Sequence, residues 1–330
     1  MTGTHSNTHR IAVLLNRASG AEDKGDVEAR LKKAFAPHGD LFALFAFDKG
    51  SELIPECRRA MREGFGTVVA AGGDGTISGV AQELAGSDHH LGIIPQGTFN
   101  FVARGLGIPE DLEEAVALLA RGTTRPFPLG DLNGHLFVNN ASLGVYPQVL
   151  KEREGTYRRW GRSRLAAHWS VLVTFLTFRR PLRMRVSIGG KEVRRRTPLA
   201  FIGRSAFQLE HYGLEGAEAV RDGAFALYLA PESTRWQLLM RALRLASKGM
   251  VLNRDFELFT GTDIEISTGS SARSVAMDGE RRRITGPFRF TMRPDALRVV
   301  APDPAEATGD SAGQASDPAP GGGGSGSAAA

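Results

Sequence analysis

The sequence predicts two folded units of different class: an α/β N-terminal domain on a parallel sheet, then a β-rich antiparallel sandwich. Three observations predict this. Over residues 1–125, strand-length apolar runs alternate with segments of helical period, the β-α-β-α order that yields a parallel sheet covered by helices. Over residues 126–300, strand-like runs follow one another with turn dipeptides such as Asn133-Gly134 and Gly189-Gly190 between them, as in hairpins. Residues 301–330 are Ala, Gly, Pro or Ser at all but six positions. That leaves too little apolar surface to offset the entropy of ordering, so a disordered tail is expected.

Each element has its own signal. Ile11 to Leu15 is a short apolar run, read as a buried strand. Val27, Leu31 and Phe35 recur at helical spacing, and Pro37 and Gly39 stop that helix. Leu41 to Phe47 is a second strand. Ser51 is the expected cap of a helix carrying Leu53, Ile54, Cys57 and Met61 and ending at Gly64. Thr67 to Ala71 and Leu91 to Ile94 are strands, with Ile77, Val80, Ala81 and Leu84 as the helical face between them. Leu112, Val116 and Leu119 mark a further helix. In the second unit Leu182, Met184, Val186 and Ile188 alternate strictly, as a half-buried strand does. Further strands are expected at Leu199 to Ile202, Phe225 to Leu229, Phe256 to Phe259, Ile264 to Ser267, Ser274 to Met277 and Phe288 to Met292. Helices are expected near residues 162–178 and 234–248.

Composition excludes several classes. One cysteine, Cys57, rules out a disulfide framework and a cysteine-based zinc site, and it reads as a core residue. The polar start, Met1 to Arg10, lacks an apolar signal core. The longest mostly apolar uncharged run, residues 165–178, is too short to span a bilayer. A cytoplasmic protein is expected. The net charge of +5 averages an acidic tail and a basic body. Without the tail, 41 bases face 32 acids (36 less the four after residue 300), a net +9. Between Lys151 and Ala200 there are 14 Lys or Arg against three acids. Such a patch suits nucleic acid, an anionic membrane surface or a phosphate-rich ligand. No nucleic-acid reading motif accompanies the arginines. The apolar helix 165–178, bracketed by Arg158, Arg159, Arg162, Arg164, Arg179, Arg180, Arg183 and Arg185, reads as a membrane-interface helix or as a core helix with a basic rim.

The stretch Val68-Val69-Ala70-Ala71-Gly72-Gly73-Asp74-Gly75-Thr76 runs from strand through glycines into helix. Ligands of open α/β sheets bind at the carboxyl ends of strands. Glycines there let backbone N–H groups approach phosphates, and a helix start adds a positive dipole. Asp74 is a carboxylate at such a place, which suggests Mg²⁺ as its neighbour. The same turn also reads as a plain strand-to-helix connection with Asp74 as a cap. Its spacing matches neither a Walker loop nor a dinucleotide fingerprint. A second strand-turn-helix start, Leu91-Gly92-Ile93-Ile94-Pro95-Gln96-Gly97-Thr98-Phe99-Asn100, places Thr98 and Asn100 at the end of a neighbouring strand, in the same crevice.

GGDGT followed by IPQGTFNFVARGLGIP resembles the diacylglycerol kinase catalytic-domain family of lipid kinases, which includes bacterial diacylglycerol kinases and sphingosine kinases. NAD kinases share the first element. Leu15-Asn16-Arg17-Ala18-Ser19-Gly20 is similar to the family's first nucleotide loop. Phe137 to Gly144 is similar to its linker into the β-rich domain, and Met277-Asp278-Gly279-Glu280 to its Asp-Gly-Glu signature. The resemblance implies an NAD kinase-like N-terminal domain that binds ATP through Asn16, Ser19, Gly20, Gly72, Gly73, Asp74, Gly75, Thr76, Ser78, Gly97, Thr98 and Asn100. It implies Asp278 and Glu280 as base and partner across the cleft, and Asp74 and Asp131 around the active-site Mg²⁺. A structural Mg²⁺ is implied on Asp222 with the carbonyls of Ala219 and Ala224. Asp278-Gly279 and Asp222-Gly223 read equally as turns. Two departures stand out: Ser78-Gly79 replaces an Asn-Glu pair the family often has, and Phe101 replaces an Asp. The expected activity is phosphorylation of a lipid hydroxyl, most directly of diacylglycerol, at an anionic membrane surface by a peripherally bound enzyme. A homodimer is compatible with this reading. A kinase for a soluble acceptor such as NAD, and an inactive nucleotide- or lipid-binding module, are the alternatives.

Overall fold

The structure, a computed structural model, describes residues 10–17, 24–148, 150, 181–232, 234, 237, 240, 255–269 and 271–303. Ser19, Gly20, the basic helix expected at 162–178, most of the helix expected at 234–248 and the tail beyond Asp303 lie outside the described residues.

The N-terminal unit is a four-stranded parallel sheet in the order β2-β1-β3-β4, formed by β1 (Ile11–Asn16), β2 (Phe42–Phe47), β3 (Thr67–Gly72) and β4 (His90–Pro95). One face carries α1 (Lys24–Phe35) and α5 (Leu112–Arg121), which pack Val27, Leu31, Leu112 and Val116 onto Val13, Val69 and Ile94. The other carries α2 (Leu53–Arg62) and α3 (Asp74–Leu84), which pack Cys57, Ala60, Ile77 and Val80 onto Ala12, Leu14 and Ile93. Burial on both faces explains why these strands read as continuous apolar runs. Burial also pushes the Cys57 thiol up to about 12. One local expectation fails. Ser51 lies in a 3-10 turn, Gly50–Glu52, and α2 begins without a side-chain cap. Glu52 instead accepts from the Asp48 N–H at 3.3 Å.

The second unit is a sandwich of two sheets. One contains β8 (Leu182–Ile188), β9 (Lys191–Thr197), β13 (Asp263–Thr268) and β16 (Phe288–Val300). The other runs β12-β11-β10-β7-β14-β15, formed by β7 (Asn140–Gly144), β10 (Leu199–Gly203), β11 (Phe225–Leu229), β12 (Glu257–Gly261), β14 (Ala272–Met277) and β15 (Glu280–Thr285). Their inner faces meet through Met184, Val186, Ile264 and Phe290 on one side and Leu143, Ile202, Leu227 and Val275 on the other. Short helices α4 (Phe101–Gly105), α6 (Ala206–His211) and α7 (Ala217–Arg221) line the connections.

The two units share a strand. β16 pairs antiparallel with β5 (Thr124–Leu132) along most of its length, and its last residues run parallel to β4, with Val299 opposite Leu91. The N-terminal sheet and one sandwich sheet are therefore one ten-stranded sheet, completed by β6 (His135–Phe137) beyond β5. A register shift between Arg293 and Leu297 absorbs Pro294, which has no N–H to give the ladder. Leu297 and Val299 finish in the N-terminal core. The chain that leaves this domain at Arg125 thus returns to it at its end. No helix among the described residues is long and apolar enough to cross a membrane.

Candidate active site

The two glycine turns lie side by side because β3 and β4 are neighbours, with Gly72 opposite Pro95. The glycines do different jobs. A Cβ on Gly97 would come within 2.7 Å of the Gly73 Cα, and one on Gly72 within 2.6 Å of the Thr76 hydroxyl. These glycines let the turns pack on each other and on the first turn of α3, with Thr76 inside the packing. A Cβ on Gly75 would meet nothing within 4 Å. Gly73 is the N-cap of α3 and offers no side chain, so the helix start opens at the carboxyl edge of the sheet, where an anion is favoured. Thr98 is exposed on the second turn, and Asn16 ends β1 half-buried.

Two of the expected ligands have partners that lock the turns. Asp74 accepts from the N–H groups of Phe101 (3.2 Å) and Val102 (3.1 Å), so it caps α4 rather than its own helix. Asn100 adopts a left-handed backbone (φ 49°). Its Oδ1 accepts from Gly97 N–H at 2.9 Å and its amide donates to Glu110 at 2.9 Å. Asn100 therefore shapes the Gly97 turn. Arg104, first, and Asn100 hold Glu110 below the usual carboxylate range. A depressed carboxylate stabilises the fold above its unfolded pKa, ~4.3, and that stabilisation is lost as pH falls through the lower folded value. Glu110→Gln is expected to flatten the acid limb of the pH–stability curve, read from denaturant midpoints below about pH 4.5.

Asp278 and Gly279 form a hairpin turn between β14 and β15, both with positive φ (47° and 85°). The turn reading is right, and it also positions the carboxylate. Although the residue is only half-buried, its carboxylate is turned inward. It accepts from the N–H groups of Val138 (2.7 Å), Asn139 (2.7 Å) and Asn140 (3.2 Å). Burial pushes its pKa up, against those donors and Ser78. Ser78, buried one turn into α3, makes no hydrogen bond of ordinary geometry, yet it lies near enough to favour the charged carboxylate. Arg204 encloses the same loop from behind. Its guanidinium donates to the carbonyls of Val138 (2.6 Å) and Pro128 and lies over the Phe127 ring. Burial lowers its pKa to about 10, with Asp278 opposing the shift. No spacing in the sequence marks Arg204, because its partners are backbone carbonyls far from it along the chain. Glu280, beside this turn, is exposed and 3.7 Å from Arg282, which reaches across to Gln82 of α3 at 3.2 Å. The structure thus brings Gly73, Asp74, Ser78 and Asp278 to one helix at the domain boundary, with Glu280 next to the Asp278 turn.

Asp131 does not join them. It pairs with Arg293 at 2.9 Å, accepts from Gly134 N–H at 2.6 Å, and borders a cavity with Ala85 and Gly86, past the far end of α3 from Asp74. Its carboxylate is held by an arginine and a turn, which corrects the expectation of a shared metal network. Asp222, expected with the Ala219 and Ala224 carbonyls around a structural Mg²⁺, lies at a helix stop, the turn that the same stretch also reads as. Asp222 follows α7, Gly223 takes a positive φ of 86°, Ala224 N–H donates to the Ala219 carbonyl at 2.9 Å, and Gly223 N–H donates to Val220. This is a Schellman motif. Among the described residues no group of three His, Cys, Asp or Glu side chains could hold a metal ion. Glu210 pairs with Arg221.

Known families match both halves of this arrangement. The sequence profile described as diacylglycerol kinase catalytic domain matches residues 10–132, and that described as YegS C-terminal NAD kinase beta sandwich-like domain matches residues 142–301. The chain belongs to the diacylglycerol kinase catalytic-domain family. It is 27% identical over 281 residues to a diacylglycerol kinase of Bacillus subtilis strain 168, covering 82% of this chain and 89% of that one. It is 27% identical over 253 residues to a diacylglycerol kinase of Staphylococcus aureus strain JH9, covering 73% and 76%. A crystal structure of a diacylglycerol kinase from Bacillus anthracis Sterne shares the fold, with a TM-score of 0.65 at 16% identity over 90% of this chain and 98% of that one. The family's α/β domain and antiparallel sandwich are the two units described above. Family membership makes the chain a member of a lipid kinase family.

Proposed function

We propose that the chain transfers the γ-phosphate of ATP to a lipid hydroxyl with Mg²⁺, and that diacylglycerol, the substrate its relatives are named for, is the acceptor. The observation that carries this is the open start of α3. Three glycines pack the turns together, while Gly75 alone leaves free space at the helix N-terminus. The phosphates lie at that opening, held by backbone N–H groups and the helix dipole. Mg²⁺, when bound with the nucleotide, neutralises phosphate charge. Asp74 would hold it through the lone pairs left free, since each of its oxygens accepts a single N–H, and one carboxylate with phosphate oxygens and water is an ordinary Mg²⁺ shell. Glu280, exposed and carboxylate-bearing, takes the proton of the acceptor hydroxyl. Asp278 is a positioning residue, because its oxygens are engaged by the linker backbone.

Paired substitutions separate the cradle from its scaffold. Gly75→Ala adds a methyl where the fold has room, at a helical position where Ala is favoured by about 0.5–1 kcal/mol. Its Tm is expected to hold or rise while ATP affinity falls about tenfold. Gly97→Ala drives a Cβ into the Gly73 backbone, so stability is expected to fall by about 1–3 kcal/mol together with activity. Equal ATP affinity in Gly75→Ala and the parent would remove the phosphate cradle from the account. Assaying diacylglycerol micelles against NAD, with ADP release as the readout, decides between lipid and soluble acceptors.

Peripheral binding to an anionic membrane belongs to the same proposal. On the outer face of the β8–β9 hairpin, Arg183 lies opposite Arg196 and Arg185 opposite Arg194. Like charges directly opposite destabilise a sheet. Here Glu192 and Glu232 relieve them only in part, with exposed pairs at 3.2–3.5 Å. Anionic headgroups would complete the neutralisation. Arg194→Glu combined with Arg196→Glu is expected to weaken binding to phosphatidylglycerol vesicles at least roughly tenfold, in a salt-dependent way. Unchanged co-sedimentation would move the membrane face elsewhere.

A further inference from the structure

The large apolar side chains exposed among the described residues are Phe99 (50%), Tyr146 (37%) and Met240 (50%). Phe99 stands on the second glycine turn, at the carboxyl end of β4. Phe99 stacks on Phe101 with ring centroids 5.2 Å apart and planes 6° from parallel. The Phe101 N–H donates to Asp74, so this stack begins at the residue whose backbone touches that carboxylate. Phe101 itself is buried. It packs against His211 (5.4 Å), Tyr212 (5.9 Å) and Phe207 (6.5 Å), all from the second domain. Tyr212 in turn lies close enough to feel the charges of Tyr146 and Asp74. Burying Phe101 closes the domain boundary. It does not account for Phe99, whose ring stands half in water on top of it.

We infer that Phe99, backed by Phe101 and flanked by Tyr146, forms an apolar subsite for the first carbons of the acceptor's aliphatic chains, beside the phosphate end of the cleft. The inference rests on the proposed lipid acceptor and deepens it. The wall faces the acceptor side because its partners Phe101 and His211 lead into the second domain, which also carries Glu280. A flat aromatic face suits methylene chains that leave the bilayer with the headgroup, since covering apolar area is favourable in proportion to the area removed from water. A soluble acceptor without aliphatic or aromatic surface would gain nothing from it.

The test is binding of 1,2-dioctanoylglycerol to the full chain, by titration calorimetry below its micellar concentration, in the parent, Phe99→Ser, Phe99→Leu and Tyr146→Ser. The parent is expected to bind. Phe99→Ser is expected to lose about tenfold or more in affinity and Phe99→Leu less than about threefold, with Tyr146→Ser intermediate. Tm and ATP affinity should be unchanged, because the rings are exposed. Parent-like binding in Phe99→Ser overturns the subsite. So does a parent that does not bind, or a Phe99→Ser variant that loses ATP affinity instead, which would place a nucleobase on the ring. Phosphate transfer is measured separately. Phe99-dependent binding without transfer supports the subsite and removes the kinase reading.

Discussion

Glu280→Gln is expected to lower turnover by about two to four orders of magnitude, the usual contribution of a positioned general base. ATP affinity and Tm should stay at parental values. The reason is the setting of the side chain. Glu280 stands exposed at the start of β15, with only a 3.7 Å approach to Arg282. Glutamine keeps its size, and no buried group loses a partner. A hydroxyl attacking phosphorus must shed its proton, and a carboxylate free of structural duties can accept it. Single-turnover rates with diacylglycerol, measured beside ATP affinity, separate this loss from a binding defect.

Asp278→Asn is expected to act in the opposite order, on stability first. Two carboxylate oxygens receive three backbone N–H groups from residues 138–140. An asparagine has one acceptor oxygen, so its amide would face an N–H, donor to donor. The enclosed Arg204 would also lose its nearest opposing charge. Leaving such groups unsatisfied costs about 2–4 kcal/mol, which lowers Tm by roughly 5–15 °C for a domain of this size. Activity falls because the linker that sets the sandwich against α3 loosens. Calorimetry checks the Tm. A variant of parental Tm with no turnover would make Asp278, not Glu280, the residue that meets the hydroxyl.

How much of this was legible in the sequence depends on where each partner lies. β8 was legible because its apolar residues alternate, and they alternate because one face meets the sandwich core. β9 and β15 were not: Lys191–Thr197 is mostly charged and Glu280–Thr285 begins with four charged residues, since both strands lie at sheet edges. The full length of β16 was hidden by Pro294, which a register shift accommodates. The glycine turns were legible as a motif. That Gly72, Gly73 and Gly97 serve packing while Gly75 stands open required three dimensions. Carboxylates with distant partners were the least legible. Asp131 meets Arg293 across a ladder, and nothing near it in sequence announces the pair. Asp222-Gly223 reads as a ligand or as a turn, and the turn is there: Gly223 stops a helix. Asp278 and Glu280 were read as one acidic pair. The turn between them points one carboxylate into the linker and leaves the other in solvent.

The most direct measurement is transfer of labelled γ-phosphate from ATP to a mixed lipid extract by the parent and Glu280→Gln side by side, with the labelled product identified. A single labelled lipid that co-migrates with phosphorylated diacylglycerol is expected, formed by the parent and nearly absent with the variant. Label appearing in NAD, in no lipid at all, or equally with both proteins would contradict it.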